Sequence, residues 1–220
     1  NATIQEYSES MFTSLEYCKN GDDLFEAQKF EEAVDEYESA CVIEEKSLGD
    51  YPITASYIRR KLGLTFRALK EYDRAILELR TALSINIFEC GDDHKSVVTT
   101  LQDIHSVMLE KGYDFSSINK YMNTVVFSIK HERYGEHLLQ EKKEVSEAIE
   151  EFQKSLGLEV VALGRFHLTQ GDLFMGIGDA FLQQENLDFA IVNYRNALIV
   201  YQRTLGMEHY YTISVLNSIG

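Results

Sequence analysis

Tryptophan is absent from the 220 residues, and proline occurs once, at Pro52. Proline removes a backbone N–H and clashes inside helices, so its scarcity leaves long stretches of this chain free to run as helix. Cysteine occurs three times, at Cys18, Cys41 and Cys90. An odd count at wide spacing, with no CxxC pair, excludes a disulfide framework or a cysteine zinc site. It points to a reducing compartment: the cytoplasm, or the stroma or matrix of an organelle. No apolar run approaches the roughly 18 to 20 residues that a membrane span needs, and no basic, apolar leader opens the chain. We therefore expect no direct membrane insertion and no secretory signal. The chain begins at Asn1 without an initiator methionine and breaks off at Gly220 inside a repeat, which leads us to expect a segment of a longer protein.

Positive charge is also scarce. Lysine and arginine number 21 against 36 aspartates and glutamates, a net −15 at pH 7. That balance argues against nonspecific binding to nucleic acid or to an acidic membrane face. Its distribution is uneven. Residues 1–50 carry 3 basic and 14 acidic groups, residues 51–90 carry 7 and 4, and residues 91–220 carry 11 and 18. A basic island thus interrupts an acidic chain. What the sequence has in quantity is apolar residues, 45%, and aromatic residues, 11%, which a disordered chain lacks.

The arrangements that carry chemistry are missing as well. No G-x-S-x-G, H-E-x-x-H, phosphate loop or G-x-G-x-x-G stands in a suitable context. Gly176-Ile-Gly178 falls inside a helical pattern, where close packing explains it. His94, His167 and His209 belong to different repeats, about 10 Å apart if the repeats stack, too far to share a zinc ion that needs ligands at about 2 Å. A structural role at helix starts fits them better. His131 and His137 are six apart, on no helical neighbour spacing. The pairs Glu31/Glu32, Asp35/Glu36 and Glu150/Glu151 lack a glycine-bearing calcium loop and read as a solvated face. We expect no enzyme, with no catalytic residues, no cofactor and no metal.

One spacing organises the chain. Ala33, Ala75, Ser117 and Ala190 are each followed four residues later by Tyr37, Leu79, Tyr121 or Tyr194, and three further on by Ala40, Ala82, Thr124 or Ala197. The first three copies are 42 residues apart, and Ala148/Phe152/Ser155 precedes Ala190 by 42. A fixed period of this length means stacked helical hairpins. In the second unit, helix A is expected from Ile53 to Leu69 and helix B from Tyr72 to about Ile87. Gly21, Gly63, Gly178 and Gly220 mark helix A, with His105 taking that place in the third unit. Glycine inside a helix costs about 1 kcal/mol relative to alanine, so its recurrence implies close backbone approach against the alanines of helix B. Gly49, Gly91, Gly164 and Gly206 each stand 14 residues before the next helix A mark, which suggests left-handed helix caps. Three residues after each comes Pro52, His94, His167 or His209.

These marks resemble the tetratricopeptide repeat (TPR) family, in the 42-residue form of kinesin light chains. The L-G-x-x-H/P turn of that form is matched by Leu48-Gly49 through Pro52, Leu163-Gly164 through His167 and Leu205-Gly206 through His209. The resemblance covers about residues 14 to 220 and implies an all-α, right-handed superhelix (an α-solenoid) of antiparallel helix hairpins. The period fails once, since Tyr121 and Phe152 are 31 apart. We expect helix B of the third unit to end near Arg133, Tyr134-Gly135 to form its turn, and His137 to about Leu163 to run as one long helix, or a helix with a kink, in place of a hairpin. The organisation expected is therefore about three hairpins in 1–133, a degenerate unit in 134–163, and a hairpin plus half-repeat in 164–220.

The resemblance also implies a function: a non-catalytic scaffold or adaptor that holds a peptide or protein on the concave face. Family ligands are contacted from helix A, which here offers Tyr57, Arg60, Leu64 and Arg67, then Gln102 and Ser106, then Met175 and Asp179, and finally Asn217. The first helix offers Leu15, Cys18, Asp22 and Phe25. Tyr57, Arg60 and Arg67 either form a positive, aromatic pocket for an acidic segment or pair with the acids of the first helix B (Glu31, Glu32, Asp35, Glu36, Glu38). Two other readings stay open: a structural subunit of a larger assembly, held by extended apolar surfaces, and a regulatory module of a longer protein.

Overall fold

Short connections between amphipathic helices leave each helix little choice but to fold back on the one before it. A computed structural model describes the backbone of residues 2–48 and 53–219, with side chains for 10–44 and 54–219. Among the described residues there are ten α-helices and no strand. They are α1 (Ala2–Glu26), α2 (Phe30–Leu48), α3 (Ile53–Ala68), α4 (Tyr72–Cys90), α5 (Lys95–Lys111), α6 (Phe115–His137), α7 (Val145–Leu163), α8 (Thr169–Gln183), α9 (Leu187–Leu205) and α10 (Tyr210–Ile219). A π-helical turn, Leu138–Lys142, follows α6 directly. None of these helices is long and apolar enough to cross a membrane. Gly49, Pro52 and Gly220, expected as repeat marks, lie outside the described residues.

The chain forms two compact units, Asn1–Tyr113 with α1 to α5 and Asp114–Gly220 with α6 to α10. Within each unit every helix packs on its neighbours in sequence, most extensively as the antiparallel pairs α1/α2, α3/α4, α6/α7 and α8/α9. In the first unit α3 also touches α1 and α5.

Each pair closes where a glycine faces a large residue of the second helix. A Cβ on Gly21 would lie 2.7 Å from the Tyr37 ring, one on Gly63 would lie 2.8 Å from Leu79 Cγ and 3.2 Å from the Ala75 carbonyl oxygen, and one on Gly178 would lie 2.5 Å from the Tyr194 ring. The alanines expected opposite, Ala33, Ala75 and Ala190, are all buried. The fourth pair repeats this geometry with a glycine assigned otherwise from the sequence. A Cβ on Gly135 would lie 3.1 Å from the Phe152 ring and 3.2 Å from the Ala148 carbonyl oxygen.

That contact corrects the middle of the chain. Gly135 is not in a turn but inside α6, and α6 is the first helix of a hairpin with α7 rather than the second helix of a hairpin begun by α5. The long helix expected from His137, straight or kinked, is instead interrupted at Lys143, in left-handed backbone, and a separate helix begins at Val145. All four hairpin turns place one non-glycine residue in left-handed backbone: Gln28, Lys70, Lys143 and Glu185, with φ of 61°, 64°, 56° and 58°. Three are closed by an N–H reaching five residues back, Lys29 to Leu24, Glu71 to Phe66 and Asn186 to Phe181. In the fourth, Glu144 reaches six back to Leu138. The extra residue is absorbed by the π turn, the usual way a helix accommodates a one-residue insertion.

The two units are therefore equivalent position by position, offset by 114 residues before the π turn and 115 after it. Ser14 matches Ser128 and Gly21 matches Gly135 at 114; Lys70 matches Glu185, Leu79 matches Tyr194 and Gly91 matches Gly206 at 115. The same polar link recurs in both. Glu44, buried, accepts from Ser14 Oγ and Thr54 Oγ1 at 2.6 Å each, and Glu159, buried, accepts from Ser128 Oγ at 2.8 Å and Thr169 Oγ1 at 2.9 Å. Each carboxylate so ties one hairpin to the helix that follows it. Asn86 does this for α3, α4 and α5, accepting from Ser56 Oγ at 2.7 Å and donating to Thr100 Oγ1 at 3.3 Å.

The turn glycines differ from expectation. Gly91, Gly164 and Gly206 have φ of 84°, 82° and 89° with ψ of 162°, −174° and 176°. This is mirror-image extended backbone, open only to glycine, and it sends the chain straight on to the next helix instead of curling it into a left-handed cap. The turn histidines are helix caps: Nδ1 accepts from Ser96 N for His94, Thr169 N for His167 and Tyr211 N for His209.

Close approach at glycine has a direct test. Gly157, in α7, has nothing within 4 Å of an added Cβ. Gly157→Ala should stabilise the protein by about 0.5–1 kcal/mol through backbone entropy. Gly63→Ala should destabilise it by about 1–3 kcal/mol by overpacking. Urea denaturation of both variants is expected to shift in opposite directions.

Candidate partner-binding surface

Along α3 the residues Ala55, Ile58, Leu62 and Phe66 recur at helical spacing and are buried, which turns Tyr57, Arg60, Lys61, Leu64 and Arg67 outward. Four of these five are residues expected to contact a partner. The structure does not leave the arginines open, however. Arg60 Nε donates to Asp103 Oδ2 at 2.6 Å, and Arg67 Nε donates to Glu110 Oε1 at 3.0 Å, with Nη2 closing on the same oxygen. The pairing anticipated with the acids of the first helix B is not the one these two arginines make. The partners sit on α5, not on the acidic helix α2. Both pairs span 43 residues, and both members of the second pair stand seven residues beyond the first, so Arg-x6-Arg on α3 faces an acid repeat of the same length on α5.

The other side of α3 is tied to α1 through Asp22. Its carboxylate accepts from Tyr37 Oη at 2.6 Å, from Tyr57 Oη at 3.1 Å, and from Lys61 Nζ at 2.8 Å. Lys61 also lies 5.4 Å from the Tyr57 ring centroid. Of the rest of the basic island, Arg59 pairs with Glu78, and Arg74 pairs with Glu38 and Glu71 while lying over the Phe66 ring. The island is thus largely neutralised within the first unit.

Near the C-terminal ends of α1, α3 and α5 the Arg67–Glu110 pair borders an open groove of about 410 Å³. Phe25, Leu64, Ala68 and Tyr72 form its apolar part, and Arg67, Glu110 and Lys70 its polar part. Lys70 is exposed, sits in the left-handed turn of the α3/α4 hairpin, and its ammonium has no hydrogen bond or ion pair among the described residues. Leu64 and Arg67 are the two expected residues that the groove brings together. On α5, Gln102 is exposed and Ser106 Oγ donates to the Gln102 carbonyl.

The remaining expected residues belong to the second unit. Met175 is half-buried on α8, Asn217 is exposed on α10, and Asp179 accepts from Tyr194 Oη at 2.7 Å. Position by position they match Arg60, Gln102 and Leu64. Arg67 is matched by Leu182 and Lys70 by Glu185, so the charge of the groove is not repeated there. The sequence reading missed Lys61, Lys70, Tyr72, Asp103 and Glu110. The paired 43-residue and seven-residue spacings could have revealed Asp103 and Glu110. No comparable signal marks Lys70.

Cys18 and Cys41 are buried. Burial, with the nearby Asp22 carboxylate, pushes the Cys18 thiol up to about 11. Comparison with models of protein families and with curated proteins found no match to this chain.

Asp22 gives the surface a pH dependence. Burial disfavours its charge, but the hydrogen bonds from Lys61, Tyr37 and Tyr57 outweigh that and hold the carboxyl below the usual carboxylate range. The stability it contributes is present above the unfolded value of about 3.9 and is lost as pH falls through the lower folded value. Asp22→Asn should destabilise the protein at pH 7 by about 1–3 kcal/mol, because Tyr37 and Lys61 lose a charged acceptor. Denaturation below about pH 4 should show that difference shrinking.

Proposed function

We propose that the chain is a non-catalytic interaction scaffold, a TPR-like right-handed solenoid that holds a peptide or protein segment against the row formed by α1, α3 and α5. The observation that carries the reading is the groove beside α3, lined by half-buried apolar Phe25, Leu64 and Tyr72 next to Arg67, Lys70 and Glu110. Half-buried apolar side chains rimmed by charge are suited to a partner's side chain and its flanking polar groups. Tyr57, Arg60 and Gln102 extend the surface along the same helices. The repeat spacing and the four glycine-closed hairpins support the TPR likeness.

A second reading, a structural subunit of a larger assembly, is favoured by a different observation. Phe189, Val192 and Ile199 on α9 and Tyr210, Ile213 and Leu216 on α10 are large apolar residues left exposed, Tyr210 by 75%. A surface of that kind is commonly covered by another protein.

Selection of a random peptide display library on the protein separates the two. Scaffold function predicts peptides whose affinity falls at least about ten-fold with Leu64→Asp, the cost expected for a contact at an interface centre. It should survive Ile213→Ser/Leu216→Ser, with circular dichroism showing both variants folded. Failure to select any peptide, or binding lost only with the α10 variant, would contradict the scaffold reading and favour the subunit.

A further inference from the structure

The groove already holds an anion, and that anion is the protein's own. Glu110 projects from α5 to the groove's rim and engages Arg67 through two of the guanidinium nitrogens. The pair is open to water, with the two side chains 32% and 41% exposed, whereas the companion pair Arg60–Asp103 is more enclosed at 29% and 17%. Exposed pairs contribute little to stability, and they are readily exchanged for another carboxylate of the same geometry. Beside them Lys70 carries a cation with no described partner, on a turn whose equivalent in the second unit is acidic. Phe25, Leu64 and Tyr72 supply the apolar wall.

We propose that Glu110 is a displaceable latch: it occupies Arg67 until a partner segment bearing a carboxylate next to an apolar side chain takes its place, with Lys70 receiving that carboxylate as it enters. The inference rests on the scaffold reading above and adds to it the chemistry of the occupant and an internal competitor. The exchange is one ion pair for another, with no covalent change. Asp103 is not part of the latch, because Arg60 does not line the groove. The pair Arg60–Asp103 instead keeps α3 and α5 in register while the outer pair opens.

The test uses the whole chain and a fluorescently labelled peptide taken from the display selection, together with the same peptide in which its Asp and Glu residues are replaced by Asn and Gln. The latch predicts that selected peptides carry a carboxylate and that Glu110→Gln binds them about two- to five-fold more tightly, the weight of an exposed ion pair. It predicts weaker binding by Lys70→Glu. Replacing the peptide's acids should weaken binding and erase the gain from Glu110→Gln. A merely structural pair would lower thermal stability in Glu110→Gln without tightening the complex, so melting curves accompany each titration. Peptides whose binding needs Leu64 but ignores Glu110→Gln and Lys70→Glu would overturn the latch and leave the scaffold standing. Recovery of no peptide at all would overturn both.

Discussion

Helix backbones come close in this protein because a glycine on the first helix of each hairpin leaves room for a Tyr, Leu or Phe from the second. Gly21, Gly63, Gly135 and Gly178 each accept one such side chain at a distance that an added Cβ would violate or crowd. Everything else follows from that constraint. The close approach fixes the rotation of each helix, which turns Ala33, Ala75, Ala148 and Ala190 inward and sends Tyr57, Arg60 and Arg67 outward. It also places Tyr37 so that its hydroxyl reaches Asp22, and Tyr194 so that its hydroxyl reaches Asp179. A packing contact thereby sets up a polar one on the surface row.

Where the helices lie was largely legible in the sequence, because small residues and glycines recur at a fixed interval and packing obeys the same interval. The limits of α3 and α4 fall within a few residues of the expected ones. The middle of the chain was misread for a physical reason. Ser117, Tyr121 and Thr124 imitate the marks of a second helix, and Gly135 after Tyr134 imitates a turn, yet a glycine can serve a turn or a close approach with equal ease. One added residue, absorbed in the π turn Leu138–Lys142, also shifted the register by which the two units would have been recognised as equivalent. The buried links centred on Glu44, Asn86 and Glu159 keep that register and would have restored it.

The surface was legible to a smaller extent. Helix periodicity shows which residues of α3 face outward, and Leu64 and Arg67 do border the groove. Charge partners depend on which helix lies alongside, and that is a tertiary fact. A basic island in an acidic chain looks like an open docking site from composition, whereas five of its side chains find acids within the first unit. What remains for a partner is a smaller and more specific feature: an apolar wall, a cation on a strained turn, and an arginine already holding a carboxylate.

The central claim is that α6 is the first helix of a hairpin closed by Gly135 against Phe152, in the same phase as the other three. Nuclear Overhauser contacts of the glycine α-protons test it most directly. The account predicts contacts from Gly135 to the Phe152 ring as strong as those from Gly21 to Tyr37 and Gly178 to Tyr194, with ring-current shifts of all three glycines. Gly135 α-protons at unshifted positions, without contact to Phe152 while the other two pairs are seen, would contradict it.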